Sequence, residues 1–484
     1  MATINKKIEN VYELTPLQEG MLFHYLYDNE FTGYILQYVF KVNAEIDLNC
    51  IKEALRLLSK RYSVLRTVIA SKGFKKPRQI VLFERELELK TFDVSKKDDK
   101  ELESKKIISN DLKRGFDFVN DSLLRTTIIK YDEDEYKLVF SIHHIIIDGW
   151  CFDVLLNKFF EYYERILDGE HLLKIENEIK KERDSSFDYD EYIKWLGKQN
   201  RTEAKDYWSN LLYDYDNICE IKPSGYVKNN KKSIGEVAIE IDSNVTTKLK
   251  KLAEECDSTI NTIAEVAIGI LLQAYGSNRD SVFGKTVSGR SADIRGIDNI
   301  VGLFANTIPI RVRYDKNTTI KELIINQQKQ GTDSLNYDYY SLAEIQSLTS
   351  QGTDLIKVIY VFENYNSGLK EDNKYSDKRI ELESYNEQTN YDISISGCEN
   401  DNKLVFKLLY HEGKYSLDDA NFILNKLRII CNEIISCPDK KVSEIEMLTA
   451  EEKHLIINDF NATETDYPRD KTVVELFEEQ VKKT

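Results

Sequence analysis

The amino-acid sequence predicts an α+β protein built as two sandwich-like halves, and three observations predict it. Strand-like and helix-like segments recur in both halves without a strict strand–helix–strand rhythm, which argues against a doubly wound parallel sheet. Only 6 prolines and 20 glycines punctuate 484 residues, so the regular elements should be long. Hydrophobic residues make up 41% and charged ones 31%, a balance that fills large cores and excludes a disordered chain.

The elements follow in chain order. Thr15, Pro16 and Gln18 form a helix-start signature, with an N-cap, a first-turn proline and a capping partner three residues on. Asp47 caps a second helix that places Leu48, Ile51, Leu55 and Leu58 on one face. Residues 126–131 and 136–142 read as two strands joined by the acidic turn at 132–135, and an apolar helix runs from Trp150 to about Leu167. The charged stretch 176–186 interrupts the apolar pattern and marks a boundary, giving a first lobe over 1–178 and a second over 179–450. The second half offers a helix at 258–275 stopped by Gly276, strands at 281–288, 307–313, 355–362, 392–397 and 403–410, and a final helix at 417–435. Trp195 and Trp208 are expected to anchor helices of the second lobe. Residues 451–484 change character: 460–463 and 467–468 read as linker, and 472–483 as the opening helix of a further unit.

Charge and composition narrow the function. A net charge of −16 repels phosphate backbones and argues against nucleic acid and anionic membranes as partners. The longest apolar run, 263–275, carries Glu265 and is too short to span a bilayer. Lys6 and Lys7 have no apolar core behind them, as a secretory signal would. The 7 scattered cysteines contain no CxxC pair and read as reduced thiols of a cytoplasmic protein. Gly284 and Gly289 are too isolated to form a phosphate loop.

Of 6 histidines, two are adjacent, His143 and His144, in a segment that continues through three isoleucines to Asp148, Gly149 and Trp150. A strand delivers the pair at its own end, and neighbouring strand residues face opposite ways, so one of the two can address a given cavity. The isoleucines keep the surroundings dry, and Gly149 permits a tight turn into the next helix. An imidazole in a dry site suits general-base chemistry near neutral pH. No serine or cysteine nucleophile pattern accompanies it, so the sequence implies direct transfer between two bound substrates. Metal ligation is disfavoured, because the two rings diverge and no third ligand is evident.

The chain resembles the condensation domains of nonribosomal peptide synthetases, in the superfamily that includes chloramphenicol acetyltransferase. The likeness runs from about Val11 to Leu448 through seven motifs in order: 15–24, 61–67, 143–149, 189–195, 301–309, 359–365 and 389–392. Tyr62 and Ser63 depart from the usual His-Glu of the second motif, and Ser122 stands where a proline commonly precedes Leu-Leu-Arg. The wording at 19–24 and 148–151 looks most like members that take an L-configured donor and an L-configured acceptor.

This resemblance implies two chloramphenicol acetyltransferase-like lobes in a V-shaped pseudo-dimer with a tunnel between them. It implies that His144 lies where the tunnel arms meet, as a general base or a group that holds the tetrahedral centre. His143, Asp148, Gly149, Arg66 and Arg61 support it, with Asp148 paired to Arg66. Trp150, Asn306, Tyr360 and Tyr391 are tunnel or substrate candidates, and segments near 288–306 and 366–390 close the tunnel. No metal and no intrinsic cofactor is implied; substrates arrive on 4'-phosphopantetheine arms of an upstream donor and a downstream acceptor carrier protein. The tail resembles the lead-in to an adenylation domain, and the domain is expected to be a monomer. A free-standing coenzyme A-dependent acyltransferase and a non-catalytic docking or gating module share the fold and stand as alternatives.

Overall fold

A computed structural model describes residues 7–27, 33–71, 73–225, 233–276, 278–363, 380–386, 391–466 and 468–484. In the first half the strands are β1 (Ile8–Glu13), β2 (Ile35–Val42), β3 (Thr67–Ala70), β4 (Arg78–Leu82), β5 (Glu88–Asp93), β6 (Leu124–Lys130) and β7 (Tyr136–His143). In the second they are β8 (Ile234–Glu240), β9 (Asp280–Val287), β10 (Asn306–Arg313), β11 (Val358–Glu363), β12 (Ile380–Asn386), β13 (Ile393–Asn400) and β14 (Lys403–His411). They form a mixed sheet in the order β12-β2-β7-β6-β5, a second in the order β10-β9-β11-β13-β14-β8, and a small sheet β1-β4-β3. Two large cores lie against the two main sheets, so the predicted α+β arrangement of two lobes is the observed one.

Several local predictions are met by side-chain chemistry. Thr15 Oγ1 accepts from the Gln18 backbone N–H at 3.3 Å and Gln18 Oε1 from that of Thr15 at 2.8 Å, a capping box opening the helix Pro16–Tyr27. Asp47 accepts from the N–H groups of Asn49 and Cys50 at the head of Leu48–Arg61. Ile51, Leu55 and Leu58 of that helix are buried as predicted, whereas Leu48, at its first position, lies beyond the covered part of the face and is 45% exposed.

The lobe boundary differs from the prediction. Leu172–Ser185 is one helix, and the expected junction at 178/179 falls inside it. Ile175 and Ile179 both enter the first core, while Glu176 reaches Arg56 at 2.6 Å and Lys60 at 2.8 Å. The next helix, Tyr189–Leu196, also belongs to the first core through Tyr189 and Tyr192. Trp195 therefore packs against both cores instead of anchoring the second, and Trp208 is buried in the second as expected.

The two halves interleave. Residues 288–305 leave β9, place Ala292, Ile297, Ile300, Val301, Leu303 and Phe304 in the first core, and return as β10. Strand β12, from the second half of the sequence, pairs antiparallel with β2 and completes the first sheet, with Lys137 joining Glu383 at 2.8 Å. The predicted second crossover is thus described at 380–386; its flanks at 366–379 and 387–390 lie outside the described residues, as do the ends of the sixth and seventh motifs and Tyr467. Gly302 makes the first crossover possible, because a Cβ there would collide with the Tyr189 ring. Gly302→Ala is expected to cost about 1–3 kcal/mol, read as a lower thermal midpoint.

Candidate functional site

Strand β7 hydrogen-bonds between β2 and β6, and its last rungs carry the histidine pair. The His143 backbone N–H donates to Leu123 O at 2.9 Å and that of His144 to Tyr34 O at 2.7 Å. A short 3-10 turn, His144–Ile146, follows. The His143 ring is buried, 4.6 Å edge-on from Phe118, and its Nδ1 accepts the Ile145 N–H at 3.0 Å. Burial, with the neighbouring His144 and Arg125 adding, pushes its pKa down to about 3, so it is neutral at physiological pH.

His144 is half-buried, with Nδ1 2.7 Å from the carbonyl oxygen of Ile147. A carbonyl only accepts, so Nδ1 carries the proton and the lone pair lies on Nε2. The two rings are placed differently: His143 closes the strand and is buried, whereas His144 lies in the turn beyond it and is half-buried. Ile145, Ile146 and Ile147 are all buried, which makes the turn as dry as predicted.

Asp148 caps the helix Gly149–Leu167 by accepting the Cys151 N–H at 3.2 Å. Its other oxygen accepts the Phe304 N–H at 3.1 Å, and Arg290 Nη2 stands 3.6 Å away. The expected pairing with Arg66 is not formed. The turn Ser63–Arg66 aims the Arg66 guanidinium at the small sheet, where it bonds Glu9, the Leu82 carbonyl at 2.5 Å and the Ser59 carbonyl at 2.9 Å. Arg290 takes the place assigned to it: the guanidinium also donates to Cys151 Sγ at 3.1 Å and Ile300 O at 3.2 Å, and lies over Phe304. Sequence reasoning passed over Arg290; its signal was a basic residue directly after Gly289, whose φ of +64° starts the crossover.

The other predicted residues scatter. Arg61 lies on the flank of the first lobe, paired with Glu182 at 2.9 Å and stacked on Tyr62. Tyr360 is fully buried in the second core, its hydroxyl donating to Asn261 Oδ1 at 3.0 Å, so it lines no passage. Asn306 is a buried strut, donating to the carbonyls of Asp338 at 2.6 Å and Tyr340 at 2.9 Å. Trp150 is 42% exposed beside the histidine turn and donates to Asp298 O of the crossover at 3.2 Å. Tyr391 packs against the second core, and burial pushes its phenol up to about 12.

Three residues about the histidine turn were not among the predicted site residues. Tyr34, at φ +65°, holds the His144 N–H on its carbonyl. The imidazole of His24 lies 6.1 Å from the Tyr34 ring, and burial lowers its pKa. Gln18, buried, donates Nε2 to Ile145 O at 2.7 Å, tying the first helix to the histidine turn. Among the described residues no group of three or more histidine, cysteine, aspartate or glutamate side chains is arranged to hold a metal ion. A polar cleft of about 340 Å³ around Asn210, Asp214, Arg311 and Gln330 belongs to the second lobe and shares no residue with the histidine turn.

The family model for the condensation domain matches residues 8–457, and the chain belongs to that family. Among its curated relatives, tyrocidine synthase 3 of Brevibacillus parabrevis is 35% identical over 486 residues, covering 99% of this chain and 7% of that protein. Bacitracin synthase 3 of Bacillus licheniformis is 32% identical over 481 residues, again 99% and 7%. The chain thus spans under a tenth of the length of these relatives. A solved four-domain nonribosomal peptide synthetase, bound to AMP and glycine, has the same fold over 100% of this chain and 37% of its own, with a TM-score of 0.76 at 17% identity.

Proposed function

We propose that this chain forms the peptide bond of nonribosomal peptide synthesis: the amino group of one carrier-bound aminoacyl thioester attacks the carbonyl carbon of an upstream carrier-bound peptidyl or aminoacyl thioester. The observation that carries the reading is His144, with its Nδ1–H spent on Ile147 O and its lone pair on Nε2, at the end of the strand that the second half of the chain helps to enclose. The C–N bond forms as Nε2 takes a proton from the attacking nitrogen. The C–S bond then breaks, and that proton leaves with the upstream carrier's thiol. No atom of the protein is acylated. Tethering both substrates on phosphopantetheine arms supplies placement, which is worth up to about 7–11 kcal/mol in ideal cases. Proton transfer adds typically about 10²–10⁴-fold.

On this reading His143, Asp148, Gly149 and Arg290 fix the turn, Trp150 and Tyr391 border the meeting point of the two tunnel arms, and the lobes open as a V. The donor and acceptor are both L-configured, which the wording of 19–24 and 148–151 supports. The helix Val473–Lys483 exposes Val473, Val474, Phe477 and Val481, an apolar face suited to packing on a neighbouring adenylation domain of a longer chain. The domain works as a monomer in the cytoplasm, a compartment that its scattered, unpaired cysteines support; among the described residues no helix is long and apolar enough to cross a membrane.

The test is intact-mass reading of two loaded carrier proteins after mixing with this chain. The acceptor carrier is expected to gain the donor's acyl mass while the donor carrier returns to its free-thiol form. Consumption of coenzyme A-linked acyl groups in place of carrier-linked ones would reassign the domain as a free-standing acyltransferase; no product from either would reassign it as a gating module. L-terminated donors should outcompete D-terminated ones, and equal use of both would overturn the stereochemical assignment.

A further inference from the structure

The small sheet β1-β4-β3 has no part in the mechanism, yet one of its side chains reaches toward the histidine turn. Gln79 of β4, registered with Tyr12 of β1 and Ile69 of β3, is buried, and its amide meets that of Gln18, which is fully buried. Each amide donates to the other: Gln18 Nε2 to Gln79 Oε1 at 3.0 Å, and Gln79 Nε2 to Gln18 Oε1 at 2.8 Å. Their remaining bonds go to the backbone. Gln79 Nε2 donates to Glu13 O at 2.9 Å, Gln18 Oε1 accepts the Thr15 N–H at 2.8 Å, and Gln18 Nε2 donates to Ile145 O at 2.7 Å. A glutamine amide has two donor hydrogens and two acceptor sites, so Gln18 is saturated. Carbonyls only accept and backbone N–H groups only donate, which leaves each amide a single orientation.

A pair of buried amides is an expensive way to fill space. Glutamine loses more side-chain freedom on burial than leucine does, and a half-satisfied pair would be worse than an apolar one. The start of the helix Pro16–Tyr27 does not call for it, because the capping box uses only Thr15 and Gln18. What Gln79 adds is a lock on the plane of the Gln18 amide, and so on the direction of the N–H that meets Ile145 O. Ile145 is thereby held at both of its backbone polar groups, its N–H by His143 Nδ1 at 3.0 Å and its carbonyl by Gln18. Both peptide planes belong to the turn His144–Ile146, and two residues on Ile147 O accepts from His144 Nδ1.

We propose that Gln79 and Gln18 are positioning residues of the site: the amide pair holds the Ile145 carbonyl, and with it the turn that presents His144, against the small sheet as its anchor. The rate arm of this inference rests on the condensation reading; the spectroscopic arm does not.

The experiment compares Gln79→Met and Gln18→Met with Ile80→Ala. Ile80 adjoins Gln79 in β4 but packs in a separate cluster with Val68, Ala70 and Leu82, so its truncation weakens the same sheet without touching the amides. The readouts are condensation kinetics on loaded carriers and ¹⁵N-histidine NMR of His144, its signal assigned from the one lost in His144→Gln. In the unmodified chain and in Ile80→Ala, the His144 signal should report a proton fixed on Nδ1, with kcat equal to within about twofold. In both glutamine variants that proton should be shared between Nδ1 and Nε2. Their kcat should fall about tenfold with KM for the carriers unchanged, since a displaced imidazole costs transition-state stabilisation and not binding. Should a single variant not fold, Gln18→Met/Gln79→Met strands neither amide and carries the same expectation. A His144 signal that stays put in every glutamine variant, or moves as far in Ile80→Ala, overturns the proposal, as does a kcat that falls no further than in Ile80→Ala. If the unmodified chain condenses no carrier substrates, the reading of function fails, while the His144 signal still decides whether the pair holds the turn.

Discussion

Replacing His144 by alanine is expected to lower single-turnover amide formation by about 10²–10⁴-fold while leaving the thermal midpoint nearly unchanged. The reason for the split lies in how little the fold asks of this side chain. His144 is half-buried, and its bond to Ile147 O joins two residues of one short turn, a contact worth about 1 kcal/mol. The turn keeps its other ties, from His143 Nδ1 to Ile145 N and from Gln18 Nε2 to Ile145 O. His144→Gln separates the two roles open to the imidazole. A glutamine amide can donate to Ile147 O and fill much of the same volume, but it has no basic nitrogen. If His144 acts as the base, the glutamine variant should be as slow as alanine; recovery to within about tenfold of the unmodified rate would assign it to holding the tetrahedral centre instead. An alanine variant that condenses at full speed would remove His144 from the mechanism altogether. In either variant the mass of the protein should show no acyl adduct, since no residue serves as nucleophile.

The parts of this site that depend on local chemistry were legible in the sequence. The β6–β7 hairpin, its acidic turn and the helix after Gly149 lie within two residues of their predicted bounds, because alternation and capping are short-range signals. What the sequence hid was set by partners far along the chain. Strand β12 joins the first sheet with Glu381, Leu382, Glu383, Ser384 and Tyr385 all exposed, and its apolar alternation is short and broken by a bulge between Leu382 and Ser384; an edge strand is held by backbone pairing with β2 and by the Lys137–Glu383 pair. The stretch 176–186 reads as a boundary because its charge hides buried Ile179, and ion pairs to Arg56, Lys60 and Arg165 consume that charge. The aspartate of the catalytic signature was recognised, but its arginine was assigned to Arg66 instead of Arg290. Both are arginines followed or preceded by a turn, and only the path of the crossover decides which reaches Asp148.

That crossover contact carries the second large effect. Asp148→Ala is expected to lower stability by about 4 kcal/mol, since it removes a helix cap, orphans the buried Phe304 N–H and leaves the Arg290 guanidinium without its counter-charge. Arg290→Met should cost about 3 kcal/mol, because Asp148 loses the counter-charge that stands 3.6 Å away and the carbonyls of Ile297 and Ile300 lose their donor in a region closed to water. The two losses should not add. With both groups gone no charge is stranded, so the double variant is expected to recover at least about 1 kcal/mol relative to the sum. Denaturant midpoints of the four proteins measure this coupling, and additive losses would show that Asp148 and Arg290 act separately. The same contact links stability to the expected turnover: Asp148 follows directly on Ile147, whose carbonyl accepts from His144, so a loosened cap should displace that imidazole and slow condensation in the folded fraction by up to about 10²-fold. A fully stable but inactive Asp148→Ala would instead place the carboxylate's field, not its hydrogen bonds, in the reaction.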